Sequence, residues 1–198
     1  LAKGAMFRES LIIKSGGKED APIRILGHGA TLTGREAIPD DSWIDKGNGL
    51  WLSPNRGYVS ACRPRVLDAS GSMVSGSNKD PEFADPSKLA VGRATWNGDG
   101  VWFRTATGRH PRDARLSGYF RVSGVVIKDA SHIVVEDLVV ENFSNDGINV
   151  HGDSKGLVFR NIVSRNNGDD GFSIHDTVQV KVEGLHSFGN DYGIQDIG

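Results

Sequence analysis

Apolar and polar residues alternate in short runs that recur along the last third of the chain. Each run opens with a glycine, at Gly124, Gly147, Gly171 and Gly193. The intervals between these glycines are 23, 24 and 22 residues. A second set of apolar segments keeps the same phase, at 133–138, 157–162 and 180–185. The pattern predicts short strands separated by turns rich in Asn, Asp, Gly and Ser, because no segment has the length or the 3.6-residue period of a helix.

A repeat of about twenty residues built from short strands is typical of a solenoid in which each coil pairs with the next. A leucine-rich repeat has a similar period, but the Leu-x-x-Leu-x-Leu pattern that it needs is absent from this chain. The sequence therefore predicts an all-β fold, a right-handed parallel β-helix.

The alternation within each run predicts which side chains face the core. Ile148 and Val150 should point into one coil, and Phe172 and Ile174 into the next. The residues between them should point outward, where equivalent side chains of adjacent coils lie about 4.8 Å apart. The predicted outward columns are Val126/Asn149/Ser173/Gln195 and Lys128/His151/His175. Any chemistry is expected on this face.

The repeat is interrupted over 36–118, a segment that holds all four tryptophans. Within it we expect strands at 49–52 and 57–62, a long loop at 70–87 and a hairpin over 95–104 around a glycine-rich turn. The predicted organisation is a first coil or coils at 1–35, an inserted Trp-rich β lobe at 36–118 and regular coils at 119–198.

The charge is unevenly distributed along the 198 residues. Residues 1–123 carry 18 basic and 13 acidic side chains, a net of +5, whereas 124–198 carry 5 basic and 12 acidic ones, a net of −7. The single cysteine, Cys62, cannot form an internal disulfide. No apolar run is long enough to cross a membrane, so we expect no membrane insertion.

Both ends of the sequence read as strand material cut within a repeat. Because an uncapped β-helix exposes unpaired strand edges, we expect missing coils or a capping partner at both ends. The predicted location is extracellular or on the cell surface, with a signal peptide in a missing N-terminal segment.

The first 34 residues carry a spaced pattern of glycine, apolar and acidic positions. It consists of Gly4, Phe7, Glu9, Leu11, Ile13, Ser15-Gly16, Pro22-Ile23, Ile25 and Gly34. This pattern resembles the N-terminal coils of secreted, polysaccharide-active parallel β-helix proteins. The resemblance implies the β-helix fold and a role in processing polysaccharide.

Aspartates precede the glycines of successive repeats, and Asp170 follows Asp146 by one coil. Clustered carboxylates suit Ca²⁺, which takes six to eight oxygen ligands, or the acid and base of glycoside hydrolysis. Asp before Gly is also common turn chemistry. The segment 167–172 resembles the Asp-Asp-Gly-aromatic motif of calcium-dependent pectate lyases, although Ser173 replaces a further aspartate of that motif. The resemblance implies calcium bound by Asp146, Asp169 and Asp170.

The outward histidines His151 and His175 form a second candidate site, with Lys128 in the same column. An imidazole or an amine there could take a proton from a sugar carbon, although solvated histidines at strand ends are an equally open interpretation. The segment 171–176 resembles the Gly-Phe-Asp-Pro-His-Asp signature of mannuronan C5-epimerases, which implies a catalytic role for His175. Ser173 and Ile174 depart from that signature.

A basic run lies in the predicted lobe and includes Arg104, Arg109 and Arg112. Guanidinium groups bind carboxylates through paired hydrogen bonds, so an anionic sugar chain is the expected partner, unless the run is a solvated loop. Asn149 and Ser173 are the predicted substrate-binding residues on the solenoid face. Nucleic acid is not expected, because the solenoid is acidic.

Three functions remain open at this point. The first is a secreted lyase that cleaves uronate-containing glycan by β-elimination, with His175 or Lys128 as the base, Asp170 and His151 beside it, and Ca²⁺ or the arginines neutralising the substrate. The second is a glycoside hydrolase that uses two of the aspartates. The third is a non-catalytic adhesin or tail-fibre-like stalk. Because a fold does not fix a function, the choice depends on the site.

Overall fold

The computed structural model describes residues 1–54, 56–58 and 63–198, and these divide into two compact units. Unit 1 contains Leu1–Gly34 and Arg121–Gly198, and unit 2 contains Arg35–Phe120. Within the described ranges, no helix is long and apolar enough to cross a membrane.

The secondary structure is dominated by strands, with one short α-helix and three 3₁₀ helices among the described residues. The strands are β1 Met6–Phe7, β2 Leu11–Ile13, β3 Ile23–Thr33, β4 Arg35–Ala37, β5 Ile44–Asp45, β6 Leu50–Pro54, β7 Val66–Leu67, β8 Ala94–Asn97, β9 Gly100–Arg104, β10 Ser117–Tyr119, β11 Val125–Lys128, β12 Ile133–Glu141, β13 Ile148–His151, β14 Asp153–Arg165, β15 Asp170–His175, β16 Thr177–Phe188 and β17 Tyr192–Ile197. The helices are α1 Pro81–Ala84 and the 3₁₀ turns Asp40–Ser42, Pro86–Lys88 and Pro111–Ala114.

Unit 1 is a right-handed parallel β-solenoid, as the repeat predicts. Its strands form two five-stranded parallel sheets, ordered β1-β3-β12-β14-β16 and β17-β15-β13-β11-β2. In the second sheet Val126 pairs with Asn149, Asn149 with Ser173 and Ser173 with Gln195. The predicted register is therefore confirmed, because the constant repeat length places equivalent residues beside each other in neighbouring coils.

The core of unit 1 is a stack of apolar side chains from successive coils. Ile148, Val150 and Phe172 are fully buried and Ile174 is nearly so, which confirms the predicted inward face. Phe172 also packs edge-to-face on Phe159 of the other sheet, with the ring centroids 4.8 Å apart. Such pairs add to the stabilisation that area burial provides.

Asn167 links the coils from inside the turn before β15. It is fully buried, and its side-chain oxygen accepts from the Phe143 N–H at 3.1 Å. Its side-chain nitrogen donates to the Ser164 hydroxyl at 3.1 Å and to the Asn190 side chain at 3.0 Å. The residue thus satisfies backbone and side-chain groups that could not reach water, and it couples three coils.

Asn167→Ala is expected to lower the free energy of unfolding by about 1–3 kcal/mol, because the buried Phe143 N–H loses its acceptor. Thermal unfolding measures the change. Gln179→Ala removes an amide of similar size from an exposed position of β16 and should leave the melting temperature nearly unchanged. Equal melting temperatures for the two variants would contradict a structural role for Asn167.

Unit 2 is built on antiparallel sheets. One has the order β5-β6-β9-β8 and the other β4-β10-β7. The hairpin predicted over 95–104 is confirmed as β8 and β9, in which Asn97 pairs with Gly100 across a two-residue turn. Its core includes the fully buried Trp96 and Val101, with Trp43 and Phe103 beside them.

Two expectations for this unit need qualification. The strand predicted over 49–52 is present as β6, but the segment 70–87 is not a continuous loop. It contains α1, which Pro81 favours at the first helical position because its missing N–H needs no partner there. The strand predicted at 57–62 extends beyond the described residues, and Cys62 lies outside them.

Candidate functional site

A column of basic side chains runs up the outward face of β11, β13 and β15. Lys128 pairs in register with His151, and His151 stacks on His175 with ring centroids 4.5 Å apart and planes tilted by 14°. The predicted stacking of the two histidines is therefore confirmed. It follows from the alternation within each strand and the 24-residue repeat, which together put both rings on one face.

The environment of His151 favours a neutral imidazole. Partial burial, then the nearby His175, lower the pKa of His151 below its usual range, and Lys128 acts in the same direction. The Asp176 and Asp129 carboxylates oppose this shift but do not cancel it. The ring of His151 has no hydrogen-bond partner among the described residues, so a nitrogen lone pair is available to accept a proton.

His175 is held by a neighbour on its own strand. Its Nε2 lies 2.8 Å from the Ser173 hydroxyl oxygen, a contact in which either atom can be the donor. This contact was not predicted, although the spacing of two residues already places both side chains on the outward face of β15. It fixes the ring on which His151 stacks.

Four polar side chains form a buried cluster beside the histidines. Asp146 and Asp170 are 3% exposed, Asn149 is 5% exposed and Ser173 is 1% exposed. Asn149 and Ser173 occupy the outward positions of their strands as predicted, but they are not open to solvent. The Asn149 side-chain nitrogen donates to Asp146, and the Ser173 hydroxyl contacts His175.

Asp146 is the structural centre of the cluster. One of its oxygens accepts from the Asp170 N–H at 3.2 Å. The other accepts from the side-chain amides of Asn145, at 2.9 Å, and of Asn149. Burial raises the pKa of Asp146, whereas the hydrogen bond from Asn149 lowers it. Because both oxygens are occupied by N–H donors, Asp146 is a positioning group for Asn149 and Asp170.

Two buried oxygens of the cluster, Oδ1 of Asp170 and Oδ1 of Asn149, have no hydrogen-bond partner within the part of the chain that the structure describes. Burial, the largest effect, raises the pKa of Asp170, and repulsion from Asp146 and Asp169 adds to it. The Ser173 hydroxyl and the nearby His175 oppose this rise. A buried, unpaired acceptor is costly, and a proton bound to Asp170 would remove part of that cost, in line with its raised pKa.

Asp169 is partly buried and interacts with other groups. Its N–H donates to the Asn145 carbonyl at 3.0 Å, so the turn that carries it is tied to the previous coil. Among the described residues, no group of three or more His, Cys, Asp or Glu side chains has the arrangement of a metal site. The three aspartates of the predicted metal site are therefore not equivalent. Asp146 already accepts hydrogen bonds from three N–H donors.

The three predicted arginines all belong to unit 2 and have different environments. Arg104 donates to the backbone carbonyls of Asn48 at 2.8 Å and Ser87 at 2.9 Å, so its guanidinium holds two loops together. Arg109 is exposed and lies 3.3 Å from the Asp113 carboxylate. Arg112 is exposed on the 3₁₀ turn Pro111–Ala114. Of the three, Arg109 and Arg112 present their charge to solvent.

The parallel coils and the polar column on one sheet together define a class of protein, the β-solenoids that carry a polar face on stacked strands. Residues 93–198, more than half of the chain, match the family model described as right handed beta helix region. The chain belongs to this family. No curated protein and no solved structure shows a significant match to it.

Proposed function

We propose that this right-handed β-helix protein is a polysaccharide-processing enzyme, a lyase that cleaves uronate-containing glycan by β-elimination. One observation carries the proposal. His151, whose pKa is lowered and whose ring has no hydrogen-bond partner among the described residues, is stacked on Ser173-bound His175, and the buried Asp170, whose pKa is raised, interacts electrostatically with that His175. A base and an acid whose pKa values burial has shifted in opposite directions are typical of a site for proton transfer.

In this proposal His151 removes the proton on C5 of the uronate. The electron pair forms the C4–C5 double bond, the C4–O4 bond breaks, and the leaving oxygen takes a proton from Asp170. Lys128, exposed in the same column, binds the substrate carboxylate and stabilises the charge that develops as C5 loses its proton. The Ser173 hydroxyl orients His175, and the buried Asn149 donates to Asp146 and supports the cluster from beneath, so neither is required to contact the sugar.

The shifts of the two pKa values set the pH range of the reaction. Burial lowers the pKa of His151 and raises the pKa of Asp170, so the two values approach each other. The productive form needs a neutral imidazole and a protonated carboxyl. Its population is greatest between the usual values of the two groups, about 4 and about 6.5. The enzyme is therefore expected to work best under mildly acidic conditions.

Glycoside hydrolysis is less well supported by the same residues. It requires two carboxyl groups that flank the scissile bond, and Asp146 and Asp170 are neighbours with raised pKa values. However, both oxygens of Asp146 already accept hydrogen bonds from N–H groups. Only Asp170 has an unpaired oxygen, which favours the lyase.

The test is a panel of polysaccharides incubated with the protein. Ultraviolet absorbance detects unsaturated uronates, and a parallel assay detects reducing ends. Both signals should rise together on a uronate-containing polymer. Reducing ends without absorbance would indicate hydrolysis, and neither signal on any polymer would support a non-catalytic adhesin or stalk. The extracellular location stays a prediction.

Calcium binding, implied by the resemblance to pectate lyases, also stays a prediction. The described residues offer two unpaired buried oxygens, on Asn149 and Asp170, whereas Ca²⁺ takes six to eight oxygen ligands. Since the donors around Asp146 are N–H groups, we derive no step of the reaction through calcium.

If calcium binds here, added Ca²⁺ raises the melting temperature by mass action, and a chelator reverses the shift. Asp170→Asn should abolish this response, and Asp153→Asn, at an exposed position of β14, should preserve it. A melting temperature that is independent of Ca²⁺ would contradict the calcium prediction and leave the proposed lyase intact.

A further inference from the structure

A second candidate site is formed entirely by residues of unit 2, and none of them takes part in the proposed reaction. It is a cavity of about 350 Å³ between the turn that joins β5 to β6 and the loop that follows β9. That volume is at the lower end of the range for small-molecule sites. Its lining includes one aromatic platform, Trp51, surrounded by Asp45, Asn48, Arg109 and His110.

Trp51 differs from the tryptophans of the unit 2 core. Trp43 and Trp96 are buried, whereas Trp51 is partly exposed and lines the cavity. Its indole N–H donates to the Thr105 hydroxyl at 3.1 Å. Because this polar atom is satisfied inside the protein, the indole needs no polar partner from a ligand.

His110 completes the platform. Its ring lies 4.6 Å from the Trp51 ring, centroid to centroid, at a tilt of 58°. Nδ1 of His110 accepts from the Arg112 N–H at 3.1 Å. In the neutral ring the proton is therefore on Nε2, which leaves one N–H donor for a ligand.

The two loops around the cavity are fixed in place before any ligand binds. The Thr105 hydroxyl donates to the Arg109 carbonyl at 2.9 Å, and its N–H donates to the Gly49 carbonyl at 2.8 Å. Arg104 binds the Asn48 carbonyl from the other side. Gly47, Asn48 and Gly49 all have a positive φ, a tight turn that glycine and asparagine adopt at low cost. A preorganised site loses little entropy when it binds.

The polar groups at the rim include both donors and acceptors. One carboxylate oxygen of Asp45 accepts a hydrogen bond from the Gly47 N–H at 2.7 Å. The other oxygen has no hydrogen-bond partner among the described residues. The Asn48 side chain likewise has no partner within the described ranges. Arg109 adds N–H donors. This mixture suits hydroxyl groups, which donate and accept, and Asp45 disfavours an anion.

We propose that this cavity binds a neutral pyranose ring of a carbohydrate chain, with the apolar face of the sugar against Trp51 and its hydroxyls on Asp45, Asn48 and Arg109. A pyranose has one C–H-rich face and a rim of hydroxyls, which is the pattern of groups that the cavity complements. The site is separate from the residues of the proposed lyase, so binding here does not require turnover.

Isothermal titration of the full chain with neutral gluco-, manno- and galacto-oligosaccharides tests the proposal. At least one should bind, and Trp51→Ala should weaken that binding by about tenfold or more, because alanine removes the aromatic surface on which the sugar ring packs. Trp51→Phe should retain part of the affinity. Trp102→Phe, at the paired strand β9, is the control and should bind as the wild type does.

Asp45→Asn keeps the oxygen that accepts from the Gly47 N–H and replaces the other oxygen by an NH₂ group. The turn between β5 and β6 is therefore preserved. The substitution should also weaken binding, because in the proposed site the second oxygen of Asp45 accepts from a sugar hydroxyl. The proposal is overturned if the wild type binds none of the three sugar classes at millimolar concentration, or if Trp51→Ala and Asp45→Asn both bind with unchanged affinity. Circular dichroism of each variant verifies that the fold is intact.

Discussion

Replacing His151 by alanine is expected to reduce turnover of uronate-containing polysaccharide by roughly 10²–10⁴-fold, the usual contribution of a general base. The reason is that His151 has an unpaired ring nitrogen and a lowered pKa, whereas His175 is engaged by Ser173. Initial rates of formation of unsaturated product measure the effect. His186→Ala, at an exposed position of β16, is the matched control and should retain full activity.

The pH profile separates a catalytic role of His151 from a structural one. The rate should fall as pH decreases through the lowered pKa of His151, because the protonated imidazole cannot accept the C5 proton. It should fall again as pH rises through the raised pKa of Asp170, because the carboxyl then lacks the proton that the leaving oxygen needs. The residual activity of the His151→Ala variant should no longer fall as the pH decreases through the pKa of His151. A wild-type profile that still rises above pH 8 would contradict this assignment.

Asp170→Asn is expected to abolish the proposed lyase activity and yet stabilise the fold. The folded chain holds its proton on Asp170 more tightly than the unfolded chain, since burial and the nearby Asp146 raise the pKa. The folded state therefore binds more protons, and stability falls as pH rises from the unfolded pKa, about 4, through the folded value. The Asp170→Asn substitution removes this loss of stability at pH values above the pKa that Asp170 has in the folded chain.

The expected gain in melting temperature at neutral pH is about 2–4 °C for each kcal/mol recovered in a chain of this size. The gain should vanish below about pH 4, where the carboxyl is protonated in both states. Asp153→Asn should change neither activity nor the pH dependence of stability. A less stable Asp170→Asn variant at neutral pH would indicate that the ionised carboxylate is well stabilised and would contradict the raised pKa.

The solenoid could be predicted from the sequence because the features that determine it, a glycine interval and an alternation of apolar and polar residues, are local and recur in every coil. A constant interval between glycines fixes the register, and strict alternation fixes the face, so the positions of Phe172 and His175 followed from counting residues. In the inserted unit no such period exists. The hairpin of β8 and β9 was predictable from its turn residues, whereas α1 was not, because a single helical turn has no detectable periodicity.

The candidate site was only partly predictable for a different reason. The sequence placed the histidines, Asn149 and Ser173 on one outward face, but it assigned that face to solvent. Burial there depends on how polar side chains bind one another, as when Asn149 donates to Asp146. The distinction between Asp146, with three N–H donors, and Asp170, with an unpaired oxygen, depends on the same three-dimensional contacts.

The tryptophans illustrate the same limit. All four lie in one segment of the sequence, which does not tell them apart. The structure separates Trp43 and Trp96, which are in the core, from Trp51, which lines a cavity. That difference arises from the strand order β5-β6-β9-β8 and from the loop held by Thr105, neither of which local sequence reveals.

The mass of the cleavage products tests the central claim most directly. A polyuronate oligomer of defined length is incubated with the full chain at mildly acidic pH, and the fragments are weighed by mass spectrometry. β-Elimination adds no water, so the masses of the two fragments should sum to the mass of the substrate. Fragments that together exceed the substrate by one water would show hydrolysis, and an uncleaved oligomer would show no catalysis; either result would contradict the proposed lyase.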